Sequence, residues 1–149
     1  MQQGSGTRTP AHLWIVGLLS LLWNAFGAYD YTMTRTRNMD YLSSMPGVDA
    51  EEMLAYIDGF PLWAEIGWGL GVWGAILGSI LLLMRSRYAV WSFAVSLVGA
   101  AVSFAYQLTS TAPAGTEDGM MAFVPWIILA IALALFLYAR AMRGQRVLR

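Results

Sequence analysis

Apolar positions in this chain come in long unbroken blocks rather than the alternating or one-faced patterns of a water-soluble fold. Four blocks dominate: residues 12–29, 61–84, 88–108 and 121–139. At about 1.5 Å of helical rise per residue, each is long enough to cross about 30 Å of hydrocarbon. The expected fold is therefore an all-α membrane protein, a four-transmembrane-helix bundle in one domain over 11–142. Its spans fall at about 12–30, 61–84, 88–109 and 121–140. Residues 1–10 read as a disordered tail and 143–149 as a basic tail.

The segment from 31 to 60 is too long for a plain connector. Its second half has a helical pattern. Asp49 suits an N-cap, with Glu52 three residues on as in a capping box. Ala50, Met53, Leu54 and Ile57 then recur at helical spacing. Gly59 reads as the C′ stop and Pro61 as the start of the next helix. This predicts a short amphipathic helix over 50–58, on the bundle or in the interface. The first half, "YTMTRTRNMDYL", admits either a longer first helix or an extended piece. Residues 110–119, "STAPAGTEDG", read as a turn-rich loop.

Charge orients the spans. Arg8, Arg85, Arg87, Arg140, Arg143, Arg146 and Arg149 lie in segments without an acid. All acids lie on the opposite side, with Arg35 and Arg37. The positive-inside rule then places both termini in the cytoplasm and residues 31–60 outside. So strong a bias argues against a dual-topology fold. Aromatic belts agree: Trp14, Tyr88, Trp91 and Tyr138 at the inner interface, and Tyr29, Tyr31, Trp63, Tyr106 and Phe123 at the outer. The first span has some features of a cleaved signal, with Ala25 and Gly27 as the small pair. Bulky Trp23 and Phe26 and the length of the block argue that it is retained.

Composition removes several classes of function. The chain of 149 residues has no cysteine, which excludes disulfides, iron–sulfur clusters, thiolate zinc and dithiol chemistry. Zero net charge gives no case for nucleic acid. His12 has no second His or Cys to complete a metal or haem site, and reads as an interfacial residue. No nucleophile–base pair, phosphate loop or HExxH motif is present. The expected protein is not an enzyme and holds no cofactor or metal.

Small residues line the spans at helical spacing. Helix 2 of the bundle carries Gly67, Gly71, Gly74 and Gly78, two GxxxG pairs that allow close backbone approach. Helix 3 carries Ser92, Ser96, Gly99 and Ser103. Helix 1 carries Gly17, Ser20, Asn24 and Gly27, and helix 4 carries Ala130 and Ala134. Such stripes serve packing within the bundle or an oligomer interface.

Polar side chains inside spans are costly and therefore informative. Asn24, Asp30, Glu65 and Gln107 all read as lying in the outer half. With Arg35, Arg37, Trp68 and Tyr106 they form a candidate outer cluster. One reading is a clamp in which Asp30 pairs with Arg35 or Arg37, Glu65 being the next candidate partner. The other is a small-solute site, with Trp63, Trp68 and Trp73 stacking on a sugar ring.

Two strings carry a resemblance. They are "LLWNAFGAYDYTMTRTRNMDYL" (21–42) and "PLWAEIGWGLGVWGAILGSILLLMRSR" (61–87). Their most specific positions are Trp23, Asn24, Gly27, Asp30, Tyr31, Met33, Thr34, Arg37 and Asn38, and Gly71 through Arg87. Over about residues 11–110 the chain resembles a family of small four-span bacterial inner-membrane proteins commonly labelled "sugar transporter". The resemblance implies the bacterial inner membrane and a sugar-type solute. The chain lacks the Pro-Gln helix break and three-span repeat of small sugar-transporting half-transporters. The expected function is an accessory or interaction subunit, with the bilayer, a second copy or a partner membrane protein as its contacts. The alternative is a small-solute transporter acting as an oligomer.

Overall fold

The computed structural model describes residues 8–149, so most of the expected disordered tail lies outside the described residues. Six α-helices follow one another: α1 (Ala11–Arg35), α2 (Met39–Ser43), α3 (Ala50–Asp58), α4 (Leu62–Leu83), α5 (Ala89–Thr109) and α6 (Val124–Gly144). A 3₁₀ turn, Met121–Phe123, leads into α6. No strand occurs among the described residues. Four helices, α1, α4, α5 and α6 with its leading turn, are long and apolar enough to cross a membrane. The protein is an all-helical, four-helix membrane bundle. One end carries α2 and α3 and is called the loop end below. The other carries the α4–α5 turn and the last residues and is called the terminal end.

The ambiguous stretch after position 30 prolongs the first helix to Arg35. Its threonines stay helical because Thr32 and Thr36 turn their hydroxyls back onto the Ala28 and Thr32 carbonyls, at 2.7 and 2.8 Å. The expected outer helix is present as α3, with the Asp49 carboxylate accepting from the Glu51 and Glu52 amides. Gly59 ends α3 as expected, but with a right-handed φ of −78° rather than a left-handed one.

The left-handed stop residues are arginines instead. Arg37, Arg85 and Arg146 have φ of 56°, 58° and 58°. Each follows a helix whose last turn closes by a six-to-one bond: Asn38 N to Met33 O, Ser86 N to Leu81 O, and Val147 N to Met142 O. Glycine usually takes this place because Cβ is strained there. A cation here also faces the negative end of the helix dipole.

The helices pack in series, α1 on α4, α4 on α5, and α5 on α6. The α4–α5 contact is the closest. A Cβ added to Gly67 would stand 2.9 Å from the Gly99 carbonyl oxygen. One on Gly71 would meet Ala100, one on Gly74 would meet Ser92 and Ser96, and one on Gly78 would meet the Phe93 ring. The serines opposite donate to the same backbone, Ser92 to Gly74 O at 2.8 Å and Ser96 to Gly71 O. The α4 glycine stripe thus packs against α5 of the same chain. Ala130 and Ala134 on α6 behave differently and are exposed. Contact with α5 and the terminal core uses Ile131, Leu135, Ala139 and Met142.

Asn24 lies at the middle of α1 rather than in its outer half. It donates to Ser79 Oγ at 2.9 Å and Ala75 O at 3.2 Å on α4. Such an interhelical bond contributes about 1 kcal/mol. It joins two helices and does not belong to the outer cluster.

The expected basic tail is folded. Past α6, Val147 and Leu148 are buried with Leu13, Leu82, Phe93 and Met142. Arg149 exchanges backbone bonds with the α4–α5 turn, donating to Arg85 O at 2.7 Å and accepting from Arg87 N at 2.8 Å. The last residues form a strap across the terminal end. Beside it His12 Nδ1 and Tyr138 OH lie 2.6 Å apart, tying α1 to α6.

Candidate functional site

The polar residues of the loop end separate into two arrangements. In the first, Arg35 Nη1 donates to Glu65 Oε1 at 2.8 Å, joining α1 to α4. Arg37 Nη2 donates to Asp58 Oδ1 at 2.8 Å, joining the end of α1 to the end of α3. The two pairs line one crevice of about 180 Å³, together with Thr34, Leu54 and Ile57. The pairs are partly exposed, with side-chain exposures of 39% and 30% for the first and 62% and 50% for the second. Exposed pairs of this kind contribute little energy but set geometry.

Asp30 belongs to the second arrangement, and its expected pairing with Arg35 or Arg37 does not form. Its carboxylate accepts from Tyr41 OH at 2.7 Å. The reason is helical phase. With α1 continuous to Arg35, five residues turn the chain about 140° past a full revolution, so Asp30 and Arg35 face different ways. Tyr41 is delivered by α2, whose N-cap Asn38 accepts from the Tyr41 amide at 2.9 Å. Its ring meets Tyr29 edge-on, 5.5 Å between centroids.

Burial, then the bond to Asp30 and its charge, pushes the Tyr41 phenol above its ordinary value of 10.0. The folded chain therefore holds this proton more tightly than the unfolded chain does. The resulting stabilisation is complete below pH 10 and is lost as pH rises toward the higher folded value. Thermal melts of wild type and Tyr41→Phe between pH 8 and pH 12 should show a falling alkaline limb in the wild type. That limb should be weaker in Tyr41→Phe. Equal slopes would remove Tyr41 as its source.

The remaining expected site residues lie elsewhere. Trp68 packs on Tyr31, ring centroids 4.8 Å apart, and on Phe60. Trp73 also meets Tyr31, and Trp63 meets Tyr106. Tyr106 OH donates to Gly59 O at 2.9 Å, and Gln107 Nε2 reaches only Ser103 in its own helix. These rings form a seam that fastens α3 across α1, α4 and α5. Tyr56 completes it through its hydroxyl contact with Ser110 at 2.8 Å. None of the three tryptophans lines the crevice, so no ring is placed there to stack on a sugar.

Asp58 and Tyr41 are the residues that sequence reasoning missed. Asp58 had a legible signal. It stands four residues after Leu54 on the predicted helix, hence on the same face. Tyr41 had none, because its reach depends on the sharp break between α1 and α2. A larger groove of about 450 Å³ lies between α4 and α5, from Trp63 to Trp91, and its side chains are all apolar. Its walls suit an acyl chain and offer nothing to a polar solute.

No family model, curated protein or solved structure matches this chain.

Proposed function

We propose that the protein is a non-catalytic accessory or interaction subunit of a bacterial inner-membrane assembly, with both termini in the cytoplasm. The observation that carries this reading is the unequal use of side chains. The loop-end polar residues are engaged in holding helices together. The loop-end half of α6, by contrast, keeps Trp126, Ile127 and Leu133 exposed at 56%, 44% and 46%. An apolar helix held at one end suits a neighbouring transmembrane helix. The test is purification from the native membrane in mild detergent, with a photo-crosslinker at Trp126. One protein should co-elute in fixed ratio and crosslink there. Its absence in both experiments overturns the reading. Orientation is checked by labelling a Ser43→Cys variant from outside, which should succeed without permeabilisation.

A second reading, a small-solute transporter working as an oligomer, draws on the loop-end crevice. Each ion pair there is single-pronged, so each guanidinium retains further N–H donors and each carboxylate a second oxygen. The close α4–α5 packing supports a path between copies rather than through one. A polar solute that binds there should raise the melting temperature of the wild type and not of Arg37→Gln. A sugar panel without effect removes the sugar class.

A further inference from the structure

Three arginines meet at the terminal end. Arg149 is bonded through its backbone to both Arg85 and Arg87. Arg85 Nε donates to Val147 O at 3.3 Å. Arg85 Nη2 is buried and has no acceptor among the described residues. A buried guanidinium donor left unmatched is costly. The Arg35–Glu65 and Arg37–Asp58 ion pairs lie at the other end of the bundle. No acidic side chain lies between Glu65 and Glu117 or after Asp118. The junction thus holds a half-buried guanidinium with one buried donor unmatched, flanked by the exposed Arg87 and Arg149.

We propose that Arg85, Arg87 and Arg149 form a site for the phosphate of an anionic phospholipid. Arg87 and Arg149 supply the donors, and their planar forks suit phosphate oxygens. Arg85 adds its positive charge to the junction. Position selects a lipid over a free anion. The junction follows directly on the apolar end of α4. Met84 and Trp91 beside it are exposed at 70% and 63%, as apolar contacts for an acyl chain. The Arg87 guanidinium rests 5.4 Å from the Tyr88 ring centroid, and tyrosine favours the headgroup level. The site is independent of whether the chain serves as a subunit or a transporter.

The test is native mass spectrometry of the full chain with equimolar dioleoyl phosphatidylglycerol and dioleoyl phosphatidylcholine. The wild type should retain phosphatidylglycerol preferentially. Arg87→Gln and Arg149→Gln should each lower that retention about fivefold, the effect of one arginine near an anionic surface. Arg87→Lys should lower it less. Arg8→Gln removes the same charge ahead of α1 and should leave retention unchanged. Equal losses in Arg8→Gln and the junction variants would mean diffuse charge and overturn the site. So would no loss at either junction position. Displacement of the lipid by millimolar inorganic phosphate would assign the site to a free anion instead. Melting curves check that each variant is folded, and Arg87→Gln alone decides the matter if Arg149→Gln is not.

Discussion

Replacing Gly99 by alanine is expected to unfold the α4–α5 pair or push it apart. The added Cβ would stand 2.6 Å from Gly67 O, 2.8 Å from Gly71 N and 3.0 Å from Leu70 Cβ. Two of those atoms are backbone and cannot rotate away, so a whole helix must move. Overpacking costs about 1–3 kcal/mol where side chains give way, and the rigid wall here places the expected loss at or above that range. Movement also breaks the Ser92 and Ser96 bonds to the α4 backbone. Gly27→Ala is the matched control. Nothing lies within 4 Å of its added Cβ. Alanine favours helix over glycine by about 1 kcal/mol, so this change should be neutral or mildly stabilising. Gly69→Ala meets only the Tyr31 hydroxyl at 3.2 Å, the far end of a side chain, and should fall between. Thermal melts in detergent give the ranking. Equal loss at Gly99 and Gly27 would mean that the two helices do not touch at this point.

The second large effect is expected at the strap. Leu148 is 5% exposed and Val147 3% exposed, within the core that closes the terminal end. Leu148→Ala should cost about 2 kcal/mol or more, as truncations of buried leucine do. Leu148→Asp should cost more, because it sets a carboxylate among Leu13, Phe93 and Met142 without a partner. The loss should have a local signature. Once the strap lifts, the backbone after Arg146 becomes accessible, and trypsin should cleave there at lower doses than in the wild type. Substituting the exposed Gln145 by alanine should change neither measurement. Wild-type melting and cleavage in Leu148→Asp would show that the segment does not pack against the bundle.

How much of this was legible follows from the range of each signal. The four spans are long local patterns, and hydropathy alone marks them. The α4 and α5 stripes are periodic too, so Gly67, Gly71, Ser96 and Gly99 could be read as contact faces. Which helix fills which stripe is a tertiary fact, and the α6 alanines show the limit. Ala130 and Ala134 have the right spacing and stay exposed. The outer cluster was harder. Arg35, Arg37 and Glu65 were found, but the Asp30 pairing failed. It depended on where α1 ends, and a few residues of extra helix turn Asp30 toward Tyr41. The strap was hidden by charge. In "RGQRVLR" the arginines suggest solvent, and two apolar residues among them are too few to form a pattern.

The one-sided fastening of α6 has a mechanical consequence. Its contacts with the core, Ile131, Leu135, Ala139 and Met142, lie toward one end, leaving the stretch from Val124 to Ala130 as an overhanging arm. At about 1.5 Å per residue that arm is about 10 Å long. A tilt of about 10° around the fixed end would swing its tip by about 2 Å, with the geometry of a lever arm of that length. The link from α5 to α6 turns at Gly115 and Gly119, with φ of 86° and 61°, and Gly115 lies against the backbone of Gly47. A body pressing on the loop end of α6 would therefore pull against the fulcrum at the far side, where the strap and the arginine junction lie. Displacement on one face of the membrane would reach the other through a single stiff rod.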